Sequence, residues 1–333
     1  MIAKVRPFVS VFLALVLALL YGLLARLYFA NQKTLNPEQN LGAVVGTISL
    51  AFLVLVPIAI GVLTVFFAPP ARRASIVYAI FMPWLSMFIA AVLAGVLAFE
   101  VAICIAMALP IMFLMASAGG IATWFIVTRA GRPQTQIIGA LLLAPYLFAP
   151  LESMIPPSDS YHTVQTQIEI NANEATVWQN IIRVSEIQPG ERHFSMLFDV
   201  FGAPRPLEAR LGSDGFAAMR QGIFQGQLKF NERITAWEPG HRLDFAIEAQ
   251  NNSVPNPMVS LSPWHEIGGD IFSVPEAGYT LERLPNGHIL LHLSSTHRLT
   301  SRFNDYGGMW TSWGMSEFQN QILQVIKARC EAL

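Results

Sequence analysis

Charge is what this chain has least of. Only 13% of its 333 residues are Asp, Glu, Lys or Arg, against 53% hydrophobic. Soluble domains carry about 25% charged residues, so part of this chain belongs in lipid. Cysteine is almost absent as well. Cys104 sits in an apolar run and Cys330 near the C-terminus, which gives no disulfide framework and no zinc spacing. The net charge is −1, with no basic block and no aromatic–basic stripe, so there is no footprint for nucleic acid. Gly-rich phosphate loops and HExxH are missing. Ser294 and Ser295 precede Thr296 and His297 without the turn motif a nucleophilic serine needs. No cofactor and no metal is expected.

The depletion is uneven. Charge is sparse over residues 8–151 and returns to ordinary density from Gln165 onward. Two parts follow: a membrane region over 1–157 and a soluble domain over 160–333, long enough for its own core. About 20 apolar residues cross a bilayer as a helix. The runs 8–29, 41–67, 76–98, 101–127 and 137–155 are read as about five spans, broken by APPARRAS and TRAGRP. The first run is too long for a signal-peptide core and lacks a small-x-small cleavage site. Basic residues recur on alternate loops. Lys4 and Arg6 precede the first span, Arg72 and Arg73 follow the second, and Arg129 and Arg132 follow the fourth. Lys33 and Glu38 follow the first span, and Glu100 lies between the third and fourth. By the positive-inside rule the N-terminus is cytoplasmic and the soluble domain extracytoplasmic, periplasmic in a bacterial inner membrane. That last step rests on 137–155, a short run carrying Pro145 and Pro150. A surface or re-entrant segment is its alternative. Ionisable residues inside the spans, the usual mark of transport machinery, are nearly missing; Arg26 and Glu100 lie near span ends. An anchor or helical bundle is the reading for this half.

In the soluble half, HTVQTQIEI alternates as a strand does. Asn173 is placed to cap a helix with Val177, Trp178, Ile181 and Ile182 on one face. A short helix is expected over 191–201. Strand-like runs at 216–224, 227–237, 241–249, 278–284 and 288–299 follow, with hairpin turns at Gln225-Gly226 and PNG. A long helix from about Asn304 to Glu331 ends the chain, its stripe including Tyr306, Met309, Trp310, Trp313, Phe318, Ile322, Val325 and Ile326. Antiparallel strands with one long helix make an α+β domain. Three phrases, IEINANEATVWQNI, GIFQGQLKFNERITAWEPGHRLDF and HILLHLSSTHRL with YGGMWTSWGMSEFQNQILQVIKAR, resemble the SRPBCC or START-like superfamily, in its Bet v 1-like polyketide cyclase/dehydrase and lipid-transport branch. The resemblance covers about Thr163 to Glu331. It implies a helix-grip, a curved sheet around the C-terminal helix, with apolar ligands held between them and enzymes among its members.

Candidate site residues come from parity. Glu232 shares a face with Leu228, Phe230 and Ile234, and a buried carboxylate needs a partner. Arg220, opposite it across the turn, supplies one; a purely structural pair is the plainer explanation. His288 and His292 share one face of their strand and His297 takes the other; one of His292 or His297 is read as facing the cavity as an acid, base or hydrogen-bond donor, with an outward or rim histidine the plainer explanation. Trp310 and Trp313 line the helix stripe, and Trp264-His265 sits in a Pro- and Ser-rich loop. The reading is a membrane-anchored domain binding a lipid or other hydrophobic small molecule, lined by Arg220, Glu232, Phe230, His292, His297, Trp310 and Trp313. A cyclase, dehydratase or hydrolase in the same cavity is the alternative, and a membrane sensor the third. Membrane lipids are expected partners; protein partners are left open.

Overall fold

The computed structural model describes residues 2–31, 49–96, 102–129, 135–250 and 267–332. Lys33, Glu38, Glu100, Arg132, Trp264 and His265 lie outside these ranges. The chain forms two compact units, Met1–Pro156 and Pro157–Leu333.

The first unit is all helix. Helix α1 spans Ile2–Asn31, and α2 runs over Ala51–Phe66, opening with a π-helical turn. Helices α3 (Ile76–Val96), α4 (Ala102–Arg129) and α5 (Thr135–Ser153) follow. Among the described residues, four segments are long and apolar enough to cross a membrane: Val9–Phe29, Ile76–Val96, Ala102–Arg129 and Thr135–Glu152. The run 41–67 is described only from residue 49. There α2, about 24 Å long at 1.5 Å per residue, is the buried centre of the bundle, with every residue from Val56 to Val65 except Ile58 buried.

Small residues let the helices meet at backbone distance, as membrane interiors require. A β-carbon on Gly61 would fall 1.9 Å from the Ala116 carbonyl oxygen, and one on Gly119 would fall 2.0 Å from that of Ile58. The bundle has two distinct ends. At one, Phe29 of α1, Ala51 of α2 and Ala149 of α5 pack together. There the Glu152 carboxylate accepts from Leu50 N (2.6 Å) and Ala51 N (2.9 Å). It satisfies two of the amide donors that a helix start leaves open. At the other end, Val65 and Ala68 meet Tyr78, Ala79 and Trp124. The Trp124 indole donates to the Ala74 carbonyl, and Arg72, Arg73 and Arg129 lie in the adjoining last turns. So α5 finishes at the end opposite these arginines. It stays helical through Pro145 and Pro150, and Tyr21 Oη donates to Leu142 O (2.8 Å) in the turn that Pro145 interrupts.

The second unit is one antiparallel sheet, in the order β1-β7-β6-β5-β4-β3-β2. Its strands are β1 Ser158–Ile170, β2 Pro206–Leu211, β3 Met219–Phe224, β4 Lys229–Glu238, β5 Arg242–Ala249, β6 Phe272–Arg283 and β7 Ile289–Ser301. Helix α6 (Glu174–Ile182) starts on Asn173, whose side chain accepts from Thr176 N at 2.9 Å. Helix α7 (Asn304–Glu331) lies on the sheet. Bulges at Ile234/Ala236 and Ser273/Glu276 bend the strands around it. This is a helix-grip. The apolar core gathers at the C-terminal half of α7, where Leu323, Ile326 and Cys330 meet Trp178, Ile181 and Ile182 of α6 and the sheet residues Ile234, Leu243 and Leu291. The stretch Trp310 to Phe318 is only half-buried.

Three expectations are corrected. Strand β2 is not among the expected strand-like runs; it opens on Pro206 at a sheet edge, where a missing donor costs nothing, and lies between GAPRP and LGSDG. Strand β6 begins six residues early, since its bulge at Ser273/Glu276 carries Pro275 and breaks the alternation. The helix over 191–201 is instead a 3-10 turn (Pro189–Glu191) and a π-turn (Met196–Val200).

Candidate functional site in the grip

Two buried polar groups lie on the inner face of the sheet, toward its opposite edges. The first is on β3 and β4. Arg220 and Glu232 stand directly across from each other, 4% and 8% exposed, and Arg220 Nη1 donates to Glu232 Oε2. Gly222, two residues along, makes the space. A β-carbon there would lie 2.7 Å from Glu232 Oε1. The guanidinium rests 5.1 Å from the centre of the Phe245 ring. Burial works against the Arg220 charge, but Glu232 and Tyr279 outweigh it and hold the group protonated. Burial pushes the Glu232 carboxyl above the usual carboxylate range, against the pull of Arg220. Arg220 Nε has no partner among the described residues.

The second group is on β7 and β1. On β7 the buried face carries Ile289, Leu291, Leu293, Ser295, His297 and Leu299. His297 is wholly buried. Its ring stacks on His162 of β1 (5.4 Å between centres) and meets Phe272 of β6 (5.5 Å). Its Nε2 lies 2.9 Å from Thr311 Oγ1 on α7. Burial, reinforced by His162, pushes its pKa down to about 4, so the ring is neutral at physiological pH. One turn pair further along, Gln319 donates to Val164 O and Ser295 Oγ and accepts from Thr166.

Aromatic rings fill the ground between. Phe224 packs edge-on against Phe230 and stacks on Phe318 of α7. Trp313 meets Trp310 and Phe201 edge-on. Trp310 and Trp313 are half-buried, and Trp313 packs on Phe201 beside the Met196–Val200 turn. His292 does not line the interior. It lies on the opposite face of β7, 3.2 Å from Glu282 Oε2, beside a surface depression of about 430 Å³ that Glu174, His241 and Arg283 also border. Another depression, of about 590 Å³, surrounds Arg329 and Glu191; neither is lined by Arg220, Glu232 or His297. Among the described residues no cluster of three His, Cys, Asp or Glu side chains could hold a metal ion. Tyr279, His162, Thr311 and Gln319 belong to the interior and were not singled out from sequence. Only the parity of His162 with Val164 carried a signal for any of them.

No protein-family model and no curated protein matches the sequence. Solved structures do match the second unit. A protein from Rhizobium leguminosarum is 11% identical over 52% of this chain and 99% of its own, with a TM-score of 0.31. One from Mycobacterium smegmatis is 16% identical over 51% and 91%, with a TM-score of 0.32. A truncated norcoclaurine synthase from Thalictrum flavum is 11% identical over 51% and 95%, with a TM-score of 0.30. Identities this low speak to the fold alone, and the fold is established by strand order and helix placement.

Proposed function

We propose that the chain is a membrane-embedded binding protein whose grip half holds an apolar or amphipathic molecule, such as a lipid, between the sheet and α7. Arg220, Glu232 and His297 orient its polar end. One observation carries this reading. Polar atoms on an otherwise apolar, aromatic face are buried without partners: Arg220 Nε, His297 Nδ1 and Trp310 Nε1 among the described residues. Each such atom costs about 1–3 kcal/mol in a finished core, and a bound polar group would offset it. Apolar ligand surface would add about 25 cal/mol per Å² buried. Its test is mass spectrometry of small molecules extracted from the full chain purified in mild detergent. A stoichiometric apolar species, lost in Arg220→Met, is the result expected. A native chain carrying nothing above the detergent background overturns the reading.

Glu232 and His297 favour an enzyme as second reading. A carboxyl raised and an imidazole lowered on one face are the ingredients of acid–base work. Turnover of the extracted species that survives Glu232→Gln and His297→Phe unchanged would remove it.

The same reading places the grip domain outside the cytoplasm. Its support is the bundle itself: α5 ends opposite Arg72, Arg73 and Arg129, and basic ends face the cytoplasm.

A further inference from the structure

The Thr311 hydroxyl decides what His297 can do. It has one proton to give. Two helix carbonyls are within reach, Gly307 O at 3.1 Å and Gly308 O at 3.3 Å, beside His297 Nε2 at 2.9 Å. A threonine inside a helix donates to the carbonyl one turn back. With its proton there, Oγ1 presents a lone pair to the imidazole, and Nε2 must carry the hydrogen. That arrangement makes two hydrogen bonds where the reverse makes one. A neutral imidazole has one donor and one acceptor, so Nδ1 is left as a bare lone pair. It is buried and unpartnered among the described residues, on a side chain with no exposure at all.

The neighbours do not supply the missing hydrogen. His162 presents its ring face, and its Nε2 lies 3.1 Å from Ser160 Oγ, which also reaches Leu299 O at 3.2 Å. Phe272 has no polar hydrogen. Gln319 spends both its amide hydrogens on Val164 O and Ser295 Oγ. Among the described residues, the acceptor at Nδ1 is left unmet between the satisfied side chains of β1 and β7.

We propose that His297 Nδ1 accepts a hydrogen bond from the ligand, so that the grip selects apolar molecules bearing a hydroxyl or N–H over those with acceptors only. This rests on the ligand-binding reading above and names the class of ligand. Thr311 is the positioning residue that fixes the tautomer.

Two probes separate the claims. 2-Naphthol and 2-methoxynaphthalene share one fused ring and differ by O–H against O–CH3. Their binding to the full chain in nanodiscs is measured with partitioning into empty discs subtracted. The native chain is expected to hold 2-naphthol about tenfold tighter. His297→Phe should abolish that preference, and Thr311→Val should shrink it. Equal binding of both probes by the native chain overturns the acceptor role and leaves the ligand reading standing. Failure of both probes to bind overturns both. Nitrogen NMR of the native chain guards against a variant that does not fold. Nδ1 should resonate as a pyridine-type nitrogen and move with 2-naphthol but not with the ether. An N–H resonance at Nδ1 overturns the proposal.

Discussion

His297 is the side chain through which acid should reach this fold. Its folded pKa, about 4, lies below the ordinary 6.5, so between these values the unfolded chain binds the proton and the folded chain refuses it. Stability from this group is complete above pH 6.5 and is lost as pH falls toward 4, by on the order of 3 kcal/mol. Melting of the full chain at pH 7 and at pH 4.5, with and without His297→Phe, reads that slope. The variant should lose less stability on acidification than the native chain; equal slopes would show that His297 binds its proton as readily folded as unfolded. Alternation alone separates His292 from His297 and puts Glu232 among apolar neighbours. It does not reveal what Thr311, Tyr279 or His162 touch, because those contacts depend on register between segments far apart in sequence. His162 faces His297 only because β1 pairs with β7 along its whole length.

Among the elements, those with a clean period were legible and those bent by function or packing were not. Strand β1, helix α6 and helix α7 follow their alternation or stripe. Strand β6 hides behind Pro275, and β2 behind the turn residues that flank it. The apolar helices were legible as lipid-soluble, yet nothing in their hydropathy says which one is central. That answer lies in the glycines. The α2–α4 crossing depends on Gly61 and Gly119, whose places admit no side chain. Gly119→Val should cost at least the roughly 1–3 kcal/mol of an overpacked core, since backbone rather than a flexible side chain blocks it. Gly139 of α5 has nothing within 4 Å of a β-carbon, and Gly139→Ala should be neutral or slightly stabilising. Thermal aggregation of the two variants in detergent is the comparison. Similar behaviour of both would mean that α2 and α4 do not approach at these glycines.

For the molecule as a whole the open quantity is the side of the membrane on which the grip domain lies. Hydropathy made α5 a marginal span, short and carrying two prolines, and an even number of crossings would leave the domain with the arginines. Packing adds what length alone could not. The C-terminal turn of α5 is pinned by Glu152 to the first amides of α2, and Tyr146 packs edge-on against both Tyr21 and Tyr28 of α1. These contacts lay α5 alongside α1 and carry its last turn to the end of the bundle where α2 begins. Reporter fusions in a bacterial host give the reading a direct test. A reporter active only outside the cytoplasm should be active after Asp159 and silent after Arg73. Replacing Arg72, Arg73 and Arg129 together with Glu should weaken that contrast, because the charge bias and not the apolar length sets orientation. Silence after Asp159 in the native chain would put the grip domain in the cytoplasm and leave its fold, and the chemistry at His297, as described.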